Sequence, residues 1–148
     1  MPIALEVPGI NECEPDKNDE HLELIAAMGI AHETAFLEQH RHDGHQIPEL
    51  DAGSASLADT IDAMQQRKEI IFQARLEHGI FGGVADFLVR TTGPSVLGDH
   101  HYEVWDTKLA RTPRASFIIQ LCAYSDMLEH TQGRRPKGFE VVLCSLAV

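Results

Sequence analysis

Three cysteines, Cys13, Cys122 and Cys144, are too few and too widely spaced for a disulfide framework, and their odd number also argues against one. No CxxC pair is present for zinc or redox work, so reduced thiols are the simplest reading. Long apolar runs are missing too: none approaches the roughly 18 residues of a membrane span. The start, Met1-Pro2-Ile3-Ala4-Leu5-Glu6, lacks the basic flank and apolar core of a signal peptide, which makes the cytoplasm the expected location. No GxSxG, GxGxxG or GxxxxGK[ST] occurs, which removes the usual serine hydrolase, dinucleotide and P-loop readings. There is no repeat or low-complexity segment. Basic excess is absent as well: a net charge of -11 argues against holding nucleic acid by bulk electrostatics.

What is present fits one domain, since 148 residues with 43% hydrophobic content can bury a sizeable core but not two. The charge is unevenly spread. Glu12, Glu14, Asp16, Asp19, Glu20 and Glu23 crowd the N-terminal segment, while Arg111, Arg114, Arg134, Arg135 and Lys137 bracket one predicted helix. Solvated surface is the plainer reading of both clusters, yet a local basic rim can coexist with an acidic whole.

Residues 1–17 carry prolines, a glycine and acids without a period and read as a loop or arm; the domain is expected over 18–148. From Asn18 to Arg41 the spacing of Leu22, Ile25, Ala26, Gly29, His32, Glu33, Phe36 and Leu37 predicts an amphipathic helix. Ser54 is the expected N-cap of a second helix over Leu57, Ile61 and Met64. Three antiparallel strands are predicted over Ile70–Leu76, Val84–Arg90 and Tyr102–Leu109, punctuated by Gly79, Gly82-Gly83 and Gly93-Pro94-Ser95. Thr112-Pro113 reads as the start of a helix that Gly133 ends, and Phe139–Leu143 as a last strand. The order ααβββαβ describes an α/β (α+β) fold with a mixed sheet flanked by helices.

Chemistry can be placed on that order. Residues two apart on a strand share a face, so Asp106 and Lys108 project together, with Asp86 on the neighbouring strand. Converging carboxylates repel unless a cation sits between them, and oxygen donors suit Mg²⁺ or Mn²⁺. Gln120 and Tyr124, four apart on the following helix, share a face. Taken singly, each of these residues has an ordinary structural explanation; the joint pattern carries the signal. His40, His42 and His45 lie at a helix end and turn without a matching cysteine pair, and His100 and His101 lie elsewhere, so zinc is not favoured and the first three read as surface residues.

In family order, Gly83-Val84-Ala85-Asp86 resembles the GxxD motif, Asp106-Thr107-Lys108 the (D/E)xK motif and Gln120-Leu121-Cys122-Ala123-Tyr124 the QxxxY motif of the RecB-like branch of the PD-(D/E)XK nucleases. Upstream, Gly29-Ile30-Ala31-His32-Glu33 resembles that branch's GxxHE helix motif. The resemblance implies a restriction-endonuclease-like core in which His32, Asp86, Asp106 and the Thr107 backbone carbonyl hold Mg²⁺ or Mn²⁺. Lys108 is then catalytic, and Gln120 and Tyr124 support it or the substrate. Arg111 and Arg114, at the helix start, are expected beside the substrate path. Three cysteines cannot ligate the four-cysteine iron–sulfur cluster of some such nucleases, so none is expected. The implied activity is a DNA exonuclease of repair or recombination, with RNA as another substrate. The ending Cys144-Ser145-Leu146-Ala147-Val148, directly after a predicted strand, reads as a partial gene or an isolated domain, to which further domains or a helicase-type partner would bring substrate choice. The alternative is a non-catalytic module of the same fold that binds nucleic acid or protein.

Overall fold

The computed structural model describes residues 19–144; the arm expected over 1–17 lies outside them. The element order is the predicted one: α1 (Asp19–His42), α2 (Leu57–Gln65), β1 (Ile70–His78), β2 (Phe81–Ser95), β3 (Gly98–Lys108), α3 (Ala115–Gln132) and β4 (Phe139–Leu143). They form an α/β fold around one open, mixed sheet in the order β1-β2-β3-β4. The first three strands are antiparallel and β4 runs parallel to β3. A parallel neighbour needs a crossover, and α3 supplies it. Gly133 ends that helix in the left-handed region, φ 64, and a Cβ there would meet Val96 at 2.6 Å.

Several boundaries differ from the sequence expectation, each for a local reason. The N-cap of α2 is Ser56, not Ser54, because Ser56 and Asp59 have the capping-box spacing: the Asp59 N–H donates to the Ser56 hydroxyl, and the Ser56 N–H donates to Asp59 Oδ2. Ser54 instead donates its hydroxyl to Asp51. Helix α3 begins at Ala115, later than Thr112-Pro113. Thr112 precedes a proline, which disfavours helical backbone, and Arg114 is still extended at φ -112, ψ 152. Strand β2 continues through Gly82-Gly83 and Gly93-Pro94-Ser95, where an irregular register between Thr92 and Ser95 absorbs a residue that cannot donate to the ladder.

The sheet buries both faces. Ile71, Ala74, Leu76, Ala85, Leu88, Tyr102 and Val104 pack with α2 and with Leu121, Tyr124, Met127 and Leu128 of α3. On the other face Ile70 and Phe87 pack with Leu37 of α1, joined by Phe36, Phe72 and Trp105. Buried Gln132 is satisfied by β3: its Nε2 donates to the Tyr102 carbonyl and its Oε1 accepts from the Tyr102 N–H, as a further strand would. The apolar stripe predicted for α1 is only partly used. Leu22 and Ile25 of that stripe are exposed, as are Leu24 and Ile30 outside it, and the helix meets the sheet further along, around Phe36 and Leu37. No helix among the described residues is long and apolar enough to cross a membrane.

Candidate active site

Pairing of β2 with β3 builds the site. The register Phe87↔Trp105, carried one step further, sets Asp86 beside Asp106. The backbone N–H of Thr107 and its hydroxyl both donate to Asp86 Oδ2, at 2.9 and 3.0 Å, which fixes that carboxylate. Lys108, two residues from Asp106 on the same face, brings Nζ to 2.9 Å from Asp106 Oδ2. The approach is off hydrogen-bond alignment, so this buried oxygen keeps an unfilled acceptor position.

Burial of Asp106, followed by the like charge of Asp86, pushes the Asp106 carboxyl up to about 6 against the opposing pull of Lys108. The Asp106 carboxyl therefore takes up a proton far more readily than an ordinary aspartate. A third carboxylate shares this field. Glu33 of α1 is raised by burial and then by Asp86, with Gln73 and Lys108 opposing and Asp106 adding to the rise.

Local backbone distortion accompanies the cluster. Phe72 and Phe87 pack toward α1, whereas Ala74 and Ala85, two residues away on the same strands, join the opposite core. Regular alternation breaks between them, at Gln73, whose φ of 56 is unusual for a residue with a Cβ. Gln73 Nε2 makes a long contact, 3.5 Å, with Glu33 Oε1. The bend thus lies directly across the β1–β2 ladder from Asp86.

The structure brings Asp86, Asp106, Thr107 and Lys108 together and places other expected residues elsewhere. His32 directs Nε2 at the Val142 carbonyl of β4, 3.3 Å away, so the α1 side chain that feels both aspartates is Glu33. Tyr124 donates its hydroxyl to the Val84 carbonyl at 3.0 Å, which ties α3 to the strand that bears Asp86. Gln120 is half-buried without a hydrogen bond to the cluster. The α3 residue next to the lysine is Phe117, whose ring centroid lies 5.4 Å from Lys108 Nζ and 5.9 Å from the Arg114 guanidinium. Arg111 and Arg114 are exposed. Thr107 is seen in a positioning contact to Asp86; its backbone lies in register with Val142.

No family model, curated protein or solved structure matches the chain. The site must therefore be judged on its own chemistry.

Reading the residues in order missed Glu33 and Gln73 as parts of the cluster. Glu33 had one available signal, its place directly after His32 in the Gly29–Glu33 stretch. Gln73 had none, because nothing local marks a non-glycine residue for the left-handed region. Phe117 has the spacing of an apolar face with Leu121, Tyr124 and Leu128, and its ring on α3 meets Lys108.

The donor chemistry fits a hard divalent cation: carboxylate oxygens from Asp86, Asp106 and Glu33, one of them with an unfilled acceptor position. As they stand, the described residues do not close three or more histidine, cysteine or carboxylate groups into a metal cage. Mg²⁺ needs no such cage, since it is commonly held by one or two carboxylates with waters and substrate phosphate.

Proposed function

We propose that this chain is a metal-dependent nuclease domain of the RecB-like type, with a restriction-endonuclease-like core, that hydrolyses phosphodiester bonds in DNA as an exonuclease. The observation that carries the reading is the convergence of Asp86 and Asp106 with Lys108 at 2.9 Å, where burial, followed by the like charge of Asp86, raises the Asp106 carboxyl to about 6. Half-buried Asp86 and Glu33 crowd the buried Asp106, a repulsion that an isolated Asp106–Lys108 ion pair would not need.

In this reading Asp86 and Asp106, with Glu33 beside them, hold Mg²⁺ or Mn²⁺. The chemistry such an ion supplies is neutralisation of phosphate charge and a water acidic enough to attack at neutral pH. Thr107 keeps the Asp86 carboxylate aimed. Lys108 places a positive charge where the attacking water and the transition-state oxyanion would lie. Tyr124 acts at one remove by anchoring the Asp86 strand, and Arg111 and Arg114 offer phosphate contacts at the start of α3.

The net charge of -11 favours a second reading, a binding module without turnover. One assay separates them: degradation of end-labelled linear and circular DNA with Mg²⁺ or Mn²⁺. Loss of label from linear DNA, abolished by chelator and by Asp106→Asn, supports the exonuclease. Cleavage of the circle would make it an endonuclease. No cleavage with any divalent ion would leave the module.

A further inference from the structure

The rung of the sheet that carries Asp86 is out of order in two ladders at once. Between β1 and β2 the pairs Phe72↔Phe87 and Ala74↔Ala85 keep one offset, and the register passes over the rung between them, Gln73 opposite Asp86. Neither strand has gained a residue, so this is not an ordinary bulge. Between β2 and β3 the ladder stops at Phe87↔Trp105, one step short of Asp86 and Asp106. Core packing on both sides fixes the break: Phe72 and Phe87 join the core beneath α1, while Ala74 and Ala85 join the core beneath α3, although residues two apart on a regular strand share a face. Phe72 is also clamped from outside, its N–H donating to the Pro48 carbonyl and its carbonyl accepting from the Leu50 N–H. The whole change of face in β1 thus falls on one residue, Gln73, at φ 56. A residue with a Cβ enters that region at a cost, and such outliers persist only where the surroundings over-determine them, most often at functional sites.

What depends on this rung is the direction of Asp86. A strand N–H points in the plane of the sheet toward the neighbouring strand, and Asp86 Oδ2 accepts from the Thr107 N–H at 2.9 Å, so this carboxylate stands at the seam between β2 and β3. There it also accepts from the Thr107 hydroxyl, at 3.0 Å, and adds to the field around Asp106. A regular rung would send the Asp86 side chain to one face of the sheet and return the Thr107 N–H to the ladder.

We propose that Gln73 is a positioning residue of the site: its left-handed backbone holds Asp86 out of the ladder and aims that carboxylate at Thr107, beside Asp106. The proposal rests on the nuclease reading above for the cation that the two aspartates share, while the aim of Asp86 is a property of the fold alone. The role belongs to the backbone angle of Gln73 and not to its amide, whose contact with Glu33 is long at 3.5 Å.

Two readouts decide it: the amide proton of Thr107 in NMR spectra, whose shift and exchange rate report the bond to Asp86, and the affinity for Mn²⁺ by calorimetry. Gln73→Val, β-branched and the poorest fit to this angle, should move the Thr107 proton upfield, speed its exchange and lower Mn²⁺ affinity by roughly 10–100-fold, the scale for groups that orient metal ligands. Gln73→Ala should do the same to a lesser degree, and it carries the comparison alone if the valine protein does not fold. Gln73→Gly and Gln73→Asn should rescue both readouts, because glycine and asparagine share little except tolerance of this angle. A valine or alanine protein that is only less stable, with the Thr107 proton and Mn²⁺ affinity unchanged, overturns the proposal. So does a glycine protein that loses both, since the amide would then be what holds the site. If the unmutated protein binds no Mn²⁺, the nuclease reading falls, and the Thr107 proton still decides the role of Gln73.

Discussion

Tyr124 lays its ring against Gly83, so close that a Cβ at that glycine would sit 2.8 Å from the ring's Cε1 and 2.9 Å from its hydroxyl. The same hydroxyl donates to the Val84 carbonyl, two residues before Asp86. Gly83 is therefore required by the helix that packs on it and not by its own backbone angles. Gly83→Ala should destabilise the protein by about 1–3 kcal/mol, the usual cost of overpacking, measured as a lower urea midpoint at unchanged m-value. Tyr124→Phe, which loses only the hydrogen bond, should cost about 1 kcal/mol. If Gly83→Ala is neutral, the close approach does not exist in solution.

Affinity for Mn²⁺ should follow the Asp106 proton. Its carboxyl titrates near about 6, so a proton competes with the cation below that pH, and calorimetry should show binding weakening as the pH falls through this range. Without metal, the folded state holds this proton more tightly than the unfolded chain does. The resulting stability is present in acid, below the ordinary carboxylate value, and is lost as pH rises through about 6. Asp106→Asn should remove this pH dependence and abolish or strongly weaken Mn²⁺ binding. Unchanged affinity in that variant sinks the site.

Glu33 and His32 make opposite predictions. Glu33 is electrostatically coupled to both aspartates, while His32 is engaged with the Val142 carbonyl. Glu33→Gln should lower Mn²⁺ affinity. His32→Ala should lower stability with a smaller effect on the metal. Loss of Mn²⁺ binding in the His32 variant alone would return the histidine to the ligand set.

Lys108→Met keeps much of the stem that packs near Phe117 and removes the ammonium. Folding and Mn²⁺ affinity should survive, while cleavage falls by roughly 10²–10³, the scale of removing one transition-state charge donor. Near-native cleavage by this variant would show that the lysine serves only to balance Asp106.

His101 should set the acid limit of stability. It is fully buried, and burial, reinforced by Arg134, lowers its imidazole below the ordinary value. The unfolded chain therefore takes up this proton first: the stabilisation is present above about 6.5 and fades as pH falls below it. His101→Phe should flatten the pH dependence of the urea midpoint on that acid side. An unaltered acid profile would assign the loss to other groups.

Local chemistry accounts for much of what was legible. Hydrophobic period and turn residues are nearest-neighbour properties, so the element order, the Gly133 stop and the bounds of β4 could be read along the chain. The pairing of Asp106 with Lys108 follows from strand alternation alone. Other features depend on how elements dock. His32 and Glu33 are adjacent, about 100° apart around α1, and only packing against Phe87 and Trp105 decides which of them turns to Asp86. The resemblance implies that Tyr124 supports Lys108 or the substrate, but the absence of a side chain at Gly83 lets it drop onto β2 instead. Gln73 enters the left-handed region because two strands must change faces there, a constraint that belongs to the sheet and to neither strand. The return of the chain from Gly133 to Phe139 is set by the crossover that makes β4 parallel to β3, since a strand that runs in its neighbour's direction needs the chain carried back first.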